Sequence, residues 1–154
     1  MKPIITRVYY ENKNIKSEHY YVNGQLHREG APAKIKYYEN GKIEKEVYHL
    51  NNMLHRENGP AIIEYNEDGQ IKSEHHCIDG KIHREDGPAF IYYFEDGQIS
   101  YENYCINGNL HREDGPAKIR YDRYGEISGK YYYINDEEIT DEFKIMIIES
   151  LGRR

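Results

Sequence analysis

Short segments of the chain alternate apolar and polar residues, a pattern typical of a β-strand with one buried face. The segments 33–37 (AKIKY) and 117–121 (AKIRY) are examples. Asn-Gly or Asp-Gly follows such segments at Asn40-Gly41, Asp68-Gly69 and Asp96-Gly97. These dipeptides favour type I′ hairpin turns, in which both central residues have positive φ. A second series of turn signals lies at Asn23-Gly24, Asp79-Gly80 and Asn107-Gly108. The pattern therefore predicts an antiparallel meander.

The strand pattern recurs every 28 residues, and such self-similarity indicates a repeat architecture. His-Arg-Glu begins at His27, His55, His83 and His111. One proline position recurs at Pro32, Pro60, Pro88 and Pro116. One tyrosine position recurs at Tyr9, Tyr37, Tyr65, Tyr93 and Tyr121. A bend or bulge is expected at Gly-Pro, because proline donates no backbone hydrogen bond.

The fold class that we predict is mainly β: an antiparallel β-hairpin repeat array, a twisted meander sheet, with a C-terminal capping α-helix. One domain is expected over residues 1–154. Its parts are a partial N-terminal repeat at 1–26, repeats at 27–54, 55–82, 83–110 and 111–138, and the helix at 139–152.

The C-terminal segment loses the turn signals and gains helical spacing of apolar residues. Its apolar positions are Phe143, Met146, Ile147 and Leu151. Thr140 or Asp141 can cap the start of this helix and Gly152 can end it. Because a repeat array needs capped ends, we expect the helix to pack on the sheet; the alternative is a helix that binds a partner.

Composition limits the core. Leu, Ile, Val and Phe supply about a fifth of the chain, whereas there are 17 Tyr and no Trp, so tyrosine rings must provide much of the buried area. We see no secretory signal and no apolar run long enough for a transmembrane helix, and we expect a cytoplasmic protein. The net charge of -6 argues against a protein that coats nucleic acid.

The repeated His-Arg-Glu motif invites a catalytic or metal-binding interpretation. Equivalent positions two strands apart should lie about 10 Å from each other, which is too far for two histidines to share a zinc ion. A hydrolytic site also needs one asymmetric constellation, so we expect no catalytic residue, no metal site and no cofactor. Two hypotheses remain. Either Arg and Glu pair across neighbouring strands while His packs or bonds at the bend, or a surface row binds an acidic partner through Arg56, Arg84, Arg112, His55, His83 and His111.

Cys77 and Cys105 occupy equivalent positions one repeat apart. A disulfide needs Cα atoms within about 7 Å, so we predict two free thiols.

The third repeat departs from the others on the strand after its Gly-Pro turn. The strand face opposite Ile91 and Tyr93 carries Phe90, Tyr92 and Phe94, where the first repeat has Lys34 and Lys36. One hypothesis is that the C-terminal helix docks on this stripe. The other is that the stripe is an exposed aromatic patch, a feature that marks binding sites.

The segment 37–48 (YYENGKIEKEVY), followed by 54–61 (LHRENGPA), resembles the MORN repeat. The resemblance extends over residues 9–135, in a variant with a 28-residue period and an HREDGPA insert similar to those of phage, mobile-element and antitoxin-like bacterial proteins. It implies a hairpin-repeat sheet that acts as a non-enzymatic scaffold or binding surface.

Three functional hypotheses follow. The first is a protein-binding module, an inhibitor or antitoxin-like protein whose target is a basic, nucleic-acid-handling enzyme reached through long-range electrostatic attraction. The second is direct nucleic-acid binding through the Arg and His row with tyrosine stacking. The third is a self-assembling scaffold or homodimer joined through open sheet edges.

Overall fold

The computed structural model describes residues 2–152, and it is mainly β with one helix. Contacts between residues divide the chain into two compact units, residues 1–81 and residues 82–154. The first eleven strands are β1 (Ile4–Tyr9), β2 (Ile15–Val22), β3 (Gln25–Leu26), β4 (Lys34–Tyr37), β5 (Ile43–Val47), β6 (His49–Leu50), β7 (Met53–Leu54), β8 (Ile62–Tyr65), β9 (Ile71–His75), β10 (Cys77–Ile78) and β11 (Lys81–Ile82). The remaining elements are β12 (Phe90–Tyr93), β13 (Ile99–Asn103), β14 (Cys105–Ile106), β15 (Asn109–Leu110), β16 (Lys118–Tyr121), β17 (Ile127–Tyr131), β18 (Tyr133–Ile134), β19 (Glu137–Glu138) and α1 (Glu142–Leu151).

Each unit is an antiparallel meander of hairpins, as the alternating pattern predicts. In the first unit the strand order is β1-β2-β4-β5-β8-β9, with β3 paired to β2. In the second unit the order is β12-β13-β16-β17. Two-residue strands form short side hairpins, such as β6 with β7, β14 with β15 and β18 with β19.

The core is shallow and repeats with the sequence. The alanine that follows each Pro is 0% exposed, at Ala33, Ala61, Ala89 and Ala117. The isoleucine two residues later is also buried, at Ile35, Ile63, Ile91 and Ile119. On the neighbouring strand a glutamate lies directly opposite this isoleucine, in the pairs Glu18–Ile35, Glu46–Ile63 and Glu102–Ile119. One row of the sheet thus places an apolar chain beside a carboxylate in every repeat.

A tyrosine hydroxyl satisfies that carboxylate. Tyr37 donates to Glu18 at 2.9 Å, and the same bond recurs from Tyr65 to Glu46 and from Tyr121 to Glu102. Burial, then the bond to Glu18, raises the pKa of Tyr37 to about 12. Burial alone would raise the pKa of Glu18, but hydrogen bonds from Arg7 and Tyr37 hold it below its ordinary value. These three tyrosines are therefore structural, since each hydroxyl pairs with a carboxylate in the sheet.

The two series of turns differ from each other. Asn23 and Gly24 both have positive φ (52° and 75°), as do Asp79-Gly80 and Asn107-Gly108, so this second series of predicted turns has the φ signs of type I′. The type I′ prediction for Asn40-Gly41, Asp68-Gly69 and Asp96-Gly97 is wrong, because only the glycine of each pair has positive φ. The Asn40 side chain instead accepts a hydrogen bond from the Lys42 N–H. A bulge between Lys36 and Tyr37 absorbs the extra residue.

The chain bends at the residues before each proline, for example at 57–59, as expected. The cap prediction for α1 is also confirmed, because Asp141 accepts a hydrogen bond from the Lys144 N–H at 2.9 Å. None of the helix residues is buried, and Phe143 is 66% exposed. The hypothesis that the helix docks on the aromatic stripe is therefore wrong.

The half-buried residues of the helix are Ile145, Ile148 and Glu149. Glu149 accepts hydrogen bonds from Lys130 and from the Tyr132 hydroxyl. The backbone of Gly152 lies so close to the carbonyl oxygen of Asp114 that a Cβ there would overlap it. No helix within residues 2–152 has the length and apolar character that crossing a membrane requires.

Candidate functional site

The histidines of the repeated motif hold neighbouring repeats together. The Nδ1 atom of each accepts a backbone N–H from the hairpin turn 24 residues later, at 3.1–3.3 Å. The pairs are His27–Asn51, His55–Asp79, His83–Asn107 and His111–Asn135. Only 15–20% of each histidine side chain is exposed. The histidines therefore bond to the hairpin turn of the following repeat rather than at the Gly-Pro bend, and these rings offer little surface to a partner.

Three arginines of the motif, Arg28, Arg56 and Arg112, lie over tyrosine rings. The guanidinium carbon of Arg56 is 3.9 Å from the centre of the Tyr48 ring, and that of Arg112 is 4.0 Å from the centre of the Tyr104 ring. Arg28 covers Tyr20 in the same way. Such a contact is a cation–π interaction, and it is strongest where water is excluded. The arginines are therefore part of the framework of the loop.

The Gly-Pro that follows the motif completes this arrangement. Arg56 Nη1 donates to the Pro60 carbonyl at 3.1 Å, and Arg84 makes a longer contact of the same kind with Pro88. A Cβ on Gly115 would lie 3.1 Å from the Arg112 guanidinium carbon, and Gly59 and Gly87 are equally close to their arginines. The guanidinium lies close to the glycine backbone, so a Cβ there would press the arginine out of its position.

The glutamates of the motif point outward. Glu29, Glu57, Glu85 and Glu113 have side chains that are 78–87% exposed. In the second unit the arginines instead pair with the aspartate two residues later, Arg84 with Asp86 at 2.8 Å and Arg112 with Asp114 at 2.7 Å. The hypothesis that Arg and Glu pair across strands is wrong for Arg28, Arg56 and Arg112, which bind rings and carbonyls or that aspartate.

A groove lies between consecutive loops in each unit. In the first unit it has a volume of about 390 Å³ and includes Arg28, Glu29, Tyr48, Arg56 and Glu57. In the second unit the groove has a volume of about 750 Å³. It is lined by the equivalent residues Arg84, Glu85, Tyr104, Arg112 and Glu113, and also by Asp86 and Asp114. Since the arginines are already bonded within the loops, the outward glutamates supply the charge that these grooves present to solvent.

The aromatic stripe of the third repeat is part of a larger surface on the second unit. We call it the aromatic face, and it consists of Phe90, Tyr92, Phe94, Tyr101 and Tyr131. Cross-strand pairing places Tyr92 directly opposite Tyr101. Their rings stack at 5.7 Å with an interplanar angle of 11°, and the Phe90 ring lies 5.2 Å from Tyr101.

Three cations surround the aromatic face. Arg120 and Lys118 lie 5.4 Å and 5.8 Å from the Tyr131 ring, and Arg123 lies 5.9 Å from the Phe94 ring. Asn103 lies directly opposite both Phe90 and Lys118. Its buried Oδ1 accepts no hydrogen bond from any residue in the range 2–152. The face thus combines half-buried rings, cations and one unused acceptor.

The predicted site residues fall into two groups. Phe90 and Tyr92 come together at Tyr101, and Phe94 lies beside Arg123, whereas Arg56, Arg84, Arg112 and the histidines His55, His83 and His111 lie in the loops. Sequence reasoning missed Tyr101, Tyr131 and Arg123. The signal for Tyr101 was available, because the other repeats carry Ser17, Lys45, Ser73 and Gly129 at its position.

The cysteine prediction is confirmed: Cys77 and Cys105 are free and buried. Burial raises the pKa of each thiol to about 11, with the charge of Asp136 contributing at Cys105. Within residues 2–152, His, Cys, Asp and Glu side chains do not gather in groups of three that could hold a metal ion.

Comparison with protein-family models, with curated proteins and with solved structures finds no match to this chain. The resemblance to MORN repeats stays a prediction that rests on the sequence motifs.

Proposed function

We propose that the chain is a non-enzymatic protein-binding module whose contact surface is the aromatic face of the second unit. The observation that carries this proposal is the concentration of aromatic rings and cations on one face. Several of these residues replace polar ones at the same repeat position, for example Phe90 for Lys34, Tyr92 for Lys36 and Tyr101 for Ser17. Aromatic residues and Arg are enriched in protein interfaces and dominate their binding energy.

The MORN resemblance and the charge of the chain support a more specific proposal. We infer that the partner is a bacterial nucleic-acid-handling enzyme and that binding inhibits it, as for antitoxin-like proteins of phage or mobile elements. The four outward glutamates of the loops and the net charge of -6 would attract such a basic partner over long range. The aromatic face would then supply the short-range contacts.

Affinity capture with a matched pair of variants tests the binding proposal. Phe90→Lys with Tyr92→Lys introduces the residues found at the same repeat positions in Lys34 and Lys36, so the sheet should tolerate them. Ile62→Lys makes the change at the Phe90 position of the second repeat. We expect the wild type and the Ile62→Lys variant to retain a partner at stoichiometric yield from a lysate of the native host. The double variant should lose it. Equal capture by all three proteins would exclude the aromatic face as the contact surface. Capture by none of them would contradict the proposal that the chain binds a protein.

A second candidate function is direct binding of single-stranded nucleic acid. The observation that favours it is the placement of Lys118, Arg120 and Arg123 beside aromatic rings, the combination that binds phosphates and stacks bases. Fluorescence anisotropy with labelled single-stranded DNA and RNA would test it. Three phosphate contacts predict a slope of about -2 for log K against log salt. Lys118→Glu should weaken binding, whereas Lys34→Glu, at the same repeat position, should not. Absence of binding at about 50 mM salt would dismiss this candidate.

A further inference from the structure

The strand at the N-terminal edge, β1, is unlike every other long strand of the sheet. All six of its residues are exposed. Among them are four large apolar side chains, Ile4 (63%), Ile5 (43%), Val8 (52%) and Tyr9 (55%). Exposed apolar edges are pairing templates, and proteins usually blunt them with charges, proline or a covering element.

In the other repeats, the strands equivalent to β1 pair along both of their edges. β1 corresponds to β4 and β8, and it has the same bulge before its last tyrosine, between Val8 and Tyr9. β4 pairs with strands on both sides, β2 and β5, and β8 pairs with β5 and β9. Within residues 2–152, β1 pairs with β2 alone. No described residue therefore pairs with its second row of backbone N–H and C=O groups.

The side chains of β1 do not match the interior pattern at this edge. Ile5 occupies the position of the fully buried alanines, and Arg7 occupies the position of the buried isoleucines. Arg7 donates from Nε to Glu18 at 2.6 Å, across the strand pair. These differences suit a neighbour other than a further copy of the repeat.

A second copy of β1 can pair with this edge in one particular register. We propose that two copies of the chain dimerise by antiparallel pairing of their β1 strands about a twofold axis at Thr6. Thr6 then lies opposite Thr6 of the other copy. Ile4 lies opposite Val8 on one face, twice, and Ile5 lies opposite Arg7 on the other face, twice.

Charge and packing select this register over its neighbours. Residues that are directly opposite each other lie on the same face of the sheet. The twofold axis must therefore pass through a residue of β1 and not between two residues. An axis at Arg7 would place two like charges directly opposite each other, which is destabilising. An axis at Ile5 would leave Val8 beyond the paired segment. With the axis at Thr6, the Arg7 stem covers Ile5 while its guanidinium stays on Glu18. Twofold, self-complementary interfaces of this kind are the commonest in soluble oligomers.

Site-directed cross-linking tests the register directly. In an antiparallel pair, opposite Cα atoms are about 4.5–5.5 Å apart, within the range that a disulfide spans. We expect Thr6→Cys to form a covalent dimer under mild oxidation. Val8→Cys is the matched control on the same face, because residue 8 of one copy is four positions away from residue 8 of the other in this register. The native Cys77 and Cys105 are buried, so the wild type should stay uncross-linked.

Sedimentation over a concentration series provides the second readout. The wild type should dimerise reversibly, and Ile4→Lys should weaken dimerisation at least tenfold by setting an ammonium opposite Val8. Adding Val8→Glu to Ile4→Lys should restore it through a cross-strand ion pair. A strictly monomeric wild type, a Val8→Cys variant that cross-links as fast as the Thr6→Cys variant, or a dimer that Ile4→Lys leaves unchanged would each overturn the proposal.

Discussion

Glu149 on the helix binds Lys130 on β17 across the same interval of 19 residues that separates Glu18 from Tyr37 in the repeats. Lys130 stands at the repeat position of the glutamates, and Glu149 stands at that of the tyrosines. In the repeats the residue at the glutamate position accepts the bond and the residue at the tyrosine position donates it. At the helix the roles are reversed, because Lys130 donates and Glu149 accepts. The helix therefore bonds to the last long strand across the same sequence interval as in the repeats, with donor and acceptor exchanged.

This relationship predicts that Glu149 fastens the helix. Glu149→Ala removes the acceptor of both Lys130 and Tyr132, so α1 should open more often. Because the pair is partly exposed, the cost should be about 1 kcal/mol or less, seen as faster amide exchange over residues 142–151. Glu142→Ala, in the first turn of the helix, serves as the control. Unchanged exchange in the Glu149 variant would show that the helix is held by other contacts.

Stability should fall at alkaline pH through the buried tyrosines. Burial, then hydrogen bonds to Glu18 and Glu102, raises the pKa of Tyr37 and of Tyr121 to about 12, from an ordinary 10.0. A group whose pKa is higher in the folded state stabilises the fold below its unfolded pKa and loses this contribution as pH rises through the folded value. The free energy of unfolding in urea should therefore decline between pH 10.0 and about 12.

A matched pair of variants assigns that decline. Tyr37→Phe should have a smaller decline over this range than the wild type. Tyr124→Phe, whose ring is 90% exposed, should keep the wild-type slope. Identical slopes in all three proteins would contradict a stabilising role for the Tyr37–Glu18 bond.

The loop framework predicts that Gly115 and Arg112 are energetically coupled. A Cβ on Gly115 would press on the guanidinium that lies 4.0 Å from the Tyr104 ring, so Gly115→Ala should destabilise the protein by about 1 kcal/mol. Arg112→Ala should cost a similar amount by uncovering the ring. In the double variant the clash is absent, so its loss of unfolding free energy should be smaller than the sum of the losses in the two single variants. Strict additivity in denaturant unfolding would contradict the stacked arrangement.

The two thiols should be inert in the native protein. Burial raises the pKa of Cys77 and of Cys105 to about 11, so the reactive thiolate is scarce near neutral pH. Ellman's reagent at pH about 8, a little below the ordinary cysteine pKa, should react slowly with the folded chain and rapidly with both thiols in guanidinium. Fast modification of the folded chain would contradict the burial of these side chains.

The sequence predicted the meander because its signals are local. The side-chain period and the Asn-Gly turns depend on neighbouring residues, and the position of Asp141 at the start of an apolar helical segment was enough to place the cap. The Asn40 turn was misassigned because Asn-Gly also fits a turn in which glycine alone has positive φ. The bulge at Lys36 and Tyr37 decides between the two, and a bulge leaves no mark in the sequence.

The functional residues were harder to predict because they depend on pairing between strands. Phe90 and Tyr92 stood out against the repeat, but Tyr131 joins them only through the register of β16 and β17. The sequence left the role of the arginine row open, because the motif does not show that the Arg56 guanidinium lies over a tyrosine eight residues earlier. The outward glutamates, which the motif also contains, are the exposed charges.

Photo-cross-linking from within the aromatic face tests the central claim, that this face binds a protein. Phe94 would be replaced by the photoreactive residue p-benzoylphenylalanine, and the matched control would carry the same residue at Tyr38, the equivalent repeat position in the first unit. On irradiation in a lysate of the native host, the position-94 protein should yield one discrete cross-linked protein band that the position-38 protein lacks. No adduct at position 94, or the same adduct from both positions, would contradict the claim.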